Sequence, residues 1–205
     1  MLGLLIDTSY LYASTAIMKD GIILNSQINT IINQQTKDLN IMIEESMKKL
    51  GVNFQMLNYE AVSVGPGRFI GLRVGISTAN ALHLALKIPL LGISNFDIVA
   101  YHYQKTRIGV VLDASSHYVY FQEYQNNMIF SKAQVVNKTQ LLKKKRDICL
   151  VGNIDQIDNK FILCMEHFAK FAHYKLKNIK NIVADYIRPQ YVINHYSVTG
   201  GLTSE

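Results

Sequence analysis

Apolar positions recur along this chain with two different periods, and the switches between them mark out its elements. Residues 2–6, Leu-Gly-Leu-Leu-Ile, are a short apolar run ending in Asp7-Thr8-Ser9, which predicts a buried strand with a polar carboxyl end. Residues 10–18 and 22–31 are β-rich. Lys19-Asp20-Gly21 between them predicts a tight hairpin, because Asp-Gly takes up the left-handed backbone such turns need. At 36–50 the period lengthens: Leu39, Met42, Ile43, Met47 and Leu50 fall at helix spacing, and Gly51 stands where a helix stops. Residues 59–64 return to strand. Gly65-Pro66-Gly67-Arg68-Phe69-Ile70-Gly71 follows and opens a long helix over 72–87, which Pro89 ends. Residues 90–93 are a strand. Ser94, with Asp97 three residues on, predicts a capped helix over 95–105.

From residue 107 the pattern changes. Residues 107–112 and 118–124 read as strands around the turn Asp113-Ala114-Ser115-Ser116-His117. Asn126-Asn127 turns the chain again, and 128–136 reads as a third strand. A short helix near 139–145, a buried strand over 147–151 and a helix over 160–173 complete the series. The expectation is two α/β lobes, residues 1–104 and a smaller 105–193, followed by a loose polar tail over 194–205. Three antiparallel strands followed by alternating helices and strands resemble the ribonuclease-H-like order of actin, Hsp70 and the sugar kinases (the ASKHA fold). Fold alone fixes no function.

Composition narrows the classes. The chain has 205 residues, 49% of them hydrophobic, enough for a substantial core and too apolar for a disordered protein. Two cysteines, Cys149 and Cys164, make no disulfide framework. The amino terminus turns polar after six residues and has no basic region, so it reads as a strand and not a signal peptide. No apolar run reaches the roughly twenty residues that span a bilayer, and a cytoplasmic protein without membrane contact is expected. Lys and Arg outnumber Asp and Glu by 21 to 15. That excess can attract RNA, and biased codon usage explains it equally well. The basic run Lys143–Arg146 closes a short polar helix and reads as a solvated face.

Candidate chemistry is thin. Gly65, Gly67 and Gly71 lie between a strand and a helix, where free backbone N–H groups can bind an anion. Their spacing fits neither dinucleotide nor P-loop motifs, so a turn that lets the helix pack closely is favoured. Asp7, Thr8 and Ser9 hold the place of the acidic strand end in sugar-kinase-like ATPases and are candidate vestigial phosphate-loop positions. The matching loop at 113–117 lacks glycine, so backbone cannot approach a phosphate there. The six histidines include no pair three or four residues apart, and no nucleophile elbow appears. No catalytic residue, cofactor site or metal site is assigned.

The helix 72–87 is apolar nearly all round, and a helix apolar on every side must be buried on every side. Leu72, Ile76, Ala79, Leu82 and Leu86 can face the sheet, while Val74, Thr78, Ala81 and Ala85 fall on other faces. Gly71, Gly75 and Ala79, four apart, would let a second helix approach closely. Either a partner covers the remaining side or the helix is internal. The candidate partner surface is Gly71, Val74, Gly75, Thr78, Ala79, Ala81 and Ala85, with Met42 from the preceding helix.

Several stretches resemble the TsaB (YeaZ) family. They are Leu4–Ser9, Val64–Ile76, Ile88–Ser94, Asp113-Ala114 with Val119-Tyr120, and Tyr186-Ile187-Arg188-Pro189, in the family's order over residues 4–189. The chain departs from the family's usual Ser and Thr at Arg68 and Ile70, and from its His-Ser or His-Thr pair at Gln35-Thr36. The resemblance implies a non-catalytic scaffold and activating subunit. It would pair with TsaD, a homologous catalytic subunit, and with the small ATPase TsaE, to place a threonylcarbamoyl group on the adenosine beside the anticodon of tRNA. Nucleotide (ATP or ADP) and metal would then sit on the partner subunits, tRNA would be met through the complex, and the pairing surface would be the two helices 36–50 and 72–87. The resemblance also implies that, without its partner, the chain can self-associate through that surface. The competing readings are a stand-alone ATPase or kinase of the same fold, a metalloprotease, and a tRNA-binding module using Lys143–Arg146.

Overall fold

The computed structural model describes residues 1–30, 35–144, 148–157 and 159–178. The first half of the chain builds a five-stranded sheet. Strand β1 (Leu2–Asp7) is central and buried on both faces, which is why it reads as an unbroken apolar run. It pairs antiparallel with β2 (Ala13–Lys19), and β2 with β3 (Ile22–Asn29). The β2–β3 turn is the expected one: Asp20 and Gly21 both have positive φ, 50° and 89°. Helix α1 (Gln35–Leu50) then leads to β4 (Tyr59–Gly65), and α2 (Phe69–Leu86) to β5 (Leu90–Ser94). Both strands run parallel to β1, giving the order β3-β2-β1-β4-β5.

Two helical layers cover this sheet. On one face α1 seats Leu39, Met42, Ile43 and Met47 beside Leu72, Ile76 and Ala79 of α2, all against Leu4, Ile6, Val62 and Val64. Burial of each larger side chain is worth about 1.5–3 kcal/mol. Gly51 ends α1 at a φ of 64°, as its position predicts. The other face is covered by α3 (Asn95–Tyr103) and by α5 (Met165–Asn178), whose Met165, Phe168, Phe171 and Ala172 pack on Leu5, Met18, Ala61 and Ile93.

Between α3 and α5 the chain makes a second sheet. Its strands are β6 (Arg107–Asp113), β7 (Tyr118–Gln125), β8 (Met128–Ile129), β9 (Gln134–Asn137), β10 (Cys149–Gly152) and β11 (Asn159–Lys160), with α4 (Lys138–Lys144) after β9. The order is β11-β10-β6-β7-β8, and β9 also pairs with β7. Asn126 and Asn127 form the left-handed turn between β7 and β8. The two-lobed ASKHA-like architecture is present. The lobes are not consecutive halves, because α5 lies on the first sheet.

Several boundaries differ from the sequence reading. The expected strand 10–18 begins only at Ala13. The strand expected over 128–136 is two short ones, because Phe130 N–H and Ser131 N–H both turn to Glu123 O and break the ladder. The helix expected over 160–173 spans 165–178, and α2 begins three residues early, at Phe69. Ser94 does precede α3, yet its side chain makes no cap bond, while the Asp97 carboxylate is within 2.5 Å of the Tyr124 hydroxyl. Of the basic run, Lys143 is exposed on α4, while Lys145 and Arg146 lie outside the described residues, as do Tyr186–Pro189 and the tail over 194–205.

Candidate functional site

Strands β1, β4, β6 and β10 all end on one side of the molecule, and the loops that follow them enclose a cleft of about 540 Å³ between the lobes. Open α/β sheets place ligands at such carboxyl ends. Ser9, Tyr10 and Arg68 line it from the first lobe, and Asp113, Lys138 and Asp155 from the second. Lys138 Nζ lies 3.6 Å from Asp113 Oδ1.

Of the three candidate vestigial residues, Ser9 lines the cleft and Asp7 and Thr8 precede it at the end of β1, and each is engaged within the chain. Asp7 Oδ1 accepts from the Ser9 N–H (2.9 Å) and the Ser9 hydroxyl (2.6 Å). Burial raises the Asp7 carboxyl above its ordinary range, opposed by the bonds from Ser9 and Ser63. The Thr8 hydroxyl donates to Gly71 O at 2.7 Å. Asn95 Nδ2 is 2.9 Å from both the Ser9 hydroxyl and Pro66 O, and its Oδ1 accepts from the Ser63 hydroxyl at 3.1 Å. The Arg68 N–H, just ahead of α2, donates to Ser9 O at 2.7 Å. These groups hold one another in a structural knot that ties the loop after β1 to the start of α2.

The glycines serve the same knot. A Cβ on Gly67 would lie 2.2 Å from Ser9 O, one on Gly71 2.0 Å from Thr8 O, and one on Gly75 2.2 Å from Thr8 Oγ1. Real side chains do not approach so closely, so all three are glycine to let the loop after β1 lie on α2. This corrects the partner surface expected from sequence. Gly71, Gly75 and Ala79 are buried on the sheet side of α2, and Met42 is buried under α1. The close neighbour that Gly71 and Gly75 admit is the chain's own Thr8, just after β1. Of the expected surface, Ala81 and Ala85 are exposed, and Val74 and Thr78 are partly so.

The opposite side of α2 is a different environment. Phe69, Ile70 and Leu84 are 54%, 71% and 66% exposed, and Ile41 on α1 is 53% exposed. Arg73, Ser77, Ala81 and Ala85 are exposed beside them, at the three- and four-residue spacing of one helix face. The Arg73 guanidinium lies over the Phe69 ring, 5.1 Å from its centre. Between α1 and α2 runs a groove of about 590 Å³ lined by Ile43, Phe54, Ser77, Thr78, Ala81 and Leu82, with Asn40 and Glu44 at its edge. Sequence reasoning missed Phe69, Ile70, Leu84 and Ile41. Ile70 was flagged only as a departure from the family, and a large apolar residue in place of a small polar one was the available signal.

Helix α2 is long and apolar enough by length and composition to cross a membrane. Here it packs on β4 and β1, with seven of its residues buried. Among the described residues no three His, Cys, Asp or Glu side chains are grouped to hold a metal. His83 is buried at the end of α2, with Nδ1 2.6 Å from Ile88 O.

Comparison with known proteins agrees with this geometry. The family model for TsaD, tRNA N6-adenosine threonylcarbamoyltransferase, matches residues 29–182. The "tRNA threonylcarbamoyladenosine biosynthesis protein TsaB" of Buchnera aphidicola subsp. Schizaphis graminum is 38% identical over 195 residues, covering 88% of this chain and 90% of that protein. The Escherichia coli protein of the same name is 30% identical over 128 residues, or 60% and 55% of the two chains. A Pseudomonas aeruginosa protein described as similar to the peptidase YeaZ superposes with a TM-score of 0.75 at 23% identity, over 94% of this chain and 99% of that one. That last likeness concerns the fold. With this sequence kinship over most of its length, the chain belongs to the TsaB (YeaZ) family, and its role is in the biosynthesis of threonylcarbamoyladenosine in tRNA.

Proposed function

We propose that the chain is the non-catalytic partner of a TsaD-type threonylcarbamoyltransferase, pairing with it through the outer face of α2 and the α1–α2 groove. The observation that carries this reading is the apolar stripe of Phe69, Ile70, Ala81, Leu84 and Ala85 beside a groove of about 590 Å³. Large exposed side chains next to small ones give a neighbouring helix both anchors and room for close approach. The cleft supports the non-catalytic part, since the hydroxyls of Thr8 and Ser9 and the Asp7 carboxyl are held by internal hydrogen bonds.

On this reading the chain holds the transferase in its productive state and supplies no reacting group. Nucleotide and metal belong to the partner subunits, a TsaE-type ATPase joins the assembly, and tRNA is met through the complex in the cytoplasm. Without the transferase, a second copy of this chain covers the same surface. The test is threonylcarbamoyl transfer to tRNA by purified TsaD-type and TsaE-type partners, given threonylcarbamoyl-adenylate, with and without this chain. Activity that depends on the chain, and falls with Ala81→Glu, is the expected result. Unchanged activity without the chain, or tight binding of ATP with magnesium by the chain alone, would sink the proposal.

A further inference from the structure

A third cavity, of about 340 Å³, belongs neither to the cleft nor to the α1–α2 groove. Its walls come from elements far apart in sequence: Asp97 and Tyr101 of α3, Tyr124 of β7, Ile129 of β8, and Phe171 and Tyr174 of α5. The size lies near the lower end of small-ligand pockets.

Four of the nine lining side chains are aromatic. The Tyr101 ring centre is 4.7 Å from that of Tyr174 and 5.3 Å from that of Phe171, and the Phe171 and Tyr174 planes lie within 28° of parallel. Tyr174 and Ile129 remain 46% and 62% exposed, so the cavity has open apolar walls. Asp97 is the one carboxylate among the lining residues. The Tyr124 hydroxyl is 2.5 Å from its Oδ1, which fixes the carboxylate in place. Among the described residues no second hydrogen bond reaches it. The nearby cation, Lys175, is not among the wall residues. Its ammonium donates to Gly92 O at 2.9 Å, and burial lowers its pKa against the opposing pull of Asp97.

A fixed carboxylate among aromatic rings selects the sign of its ligand. Ring faces attract cations through their quadrupole, and the carboxylate gives a charged acceptor for N–H donors. An anion would be repelled, and a purely apolar group would strip water from Asp97 without replacing it. We infer that this cavity binds the guanidinium or alkylammonium head of an organic cation, carried by a free small amine or by a basic side chain of a polypeptide. The inference is independent of the pairing surface on α2.

The test titrates ethylguanidinium, with ethylurea as its neutral isostere, into the full chain. Binding is read by calorimetry and by tyrosine fluorescence, since the chain has twelve tyrosines and no tryptophan. Saturable binding of ethylguanidinium in the millimolar range or tighter is expected, with none by ethylurea. Asp97→Asn keeps an oxygen for Tyr124 and should weaken binding about tenfold or more, while Tyr174→Ala, at an exposed wall, should weaken it severalfold. Both variants are checked for unchanged melting. A folded Asp97→Asn that binds as well as the parent overturns the inference, and so does ethylurea binding equally or no saturation by ethylguanidinium. N-acetyl-argininamide tells the two sources apart. Tighter binding than ethylguanidinium assigns a polypeptide side chain, and weaker binding assigns a free small cation.

Discussion

The two sides of α2 put the same helix to opposite uses. On its inner side, Gly71 and Gly75 lie under the loop after β1, and Thr8 bonds to the helix through its hydroxyl. On its outer side, Phe69, Ile70 and Leu84 stand in solvent. The contrast shows how one helix can be clamped to its own chain on one side and left open on the other. On the inner side, the polar groups of Asp7, Thr8 and Ser9 are spent on bonds within the chain. Where a self-sufficient domain would bury its apolar groups, this chain leaves them uncovered.

The heaviest blow to that comparison falls on the inner side. Gly71→Ala places a Cβ against the Thr8 carbonyl and should cost about 3 kcal/mol of stability, as overpacking does. Chemical denaturation measures it. A variant as stable as the parent would mean that the loop after β1 is not clamped to α2.

Glu60 sharpens the comparison by exception. It lies on β4, fully buried, and neither carboxylate oxygen has a hydrogen-bond partner among the described residues. Burial raises its pKa from 4.5 to about 8. A carboxyl raised in this way holds its proton more tightly in the folded chain. Stability contributed by that proton is present below about pH 4.5 and is lost as pH rises through about 8. Stability followed between pH 5 and 8 should decline by roughly 3–4 kcal/mol, and Glu60→Gln should flatten the slope. An equal slope in both proteins would place the titration elsewhere.

On the outer side, Ala81→Glu should leave folding within about 0.5 kcal/mol, because the residue is exposed. Pairing with a TsaD-type partner should weaken about thirtyfold, or ~2 kcal/mol, as seen by calorimetry. Undiminished pairing would move the partner off this face. The smallest effect belongs to the cleft. Asp7→Asn keeps an acceptor for Ser9 and should change threonylcarbamoyl transfer by less than about twofold, roughly 0.4 kcal/mol. A hundredfold loss would return the cleft to chemistry and dissolve the contrast.

Much of the frame was legible in the sequence because its signals are local. Asp20-Gly21 and Asn126-Asn127 announce their turns by residue type, and Leu39, Met42, Ile43 and Met47 announce the buried face of α1 by spacing. The faces of α2 were harder. Small residues four apart report that something comes close, without reporting what. Gly71, Gly75 and Ala79 fit a partner helix as well as the chain's own loop, and only the fold decides. The start of β2 was misplaced for a related reason: Tyr10-Leu11-Tyr12 has strand-like composition, yet Tyr10 and Leu11 line the cleft. The cavity around Asp97 was invisible, because its walls are brought together from α3, β7, β8 and α5 across more than seventy residues of sequence.

Helix α5 gives the chain an unusual timetable. Leu5, Met18, Ala61 and Ile93 are all synthesised before residue 94, but the Phe168 and Phe171 that shelter them come about seventy residues later. As the chain leaves the ribosome, the first sheet must wait with one face incompletely covered while the whole second sheet is made. A frameshift or stop between α3 and α5 would therefore release a protein with a half-covered apolar sheet face, a template for aggregation. The closing helix serves as a late seal on work begun at the second residue.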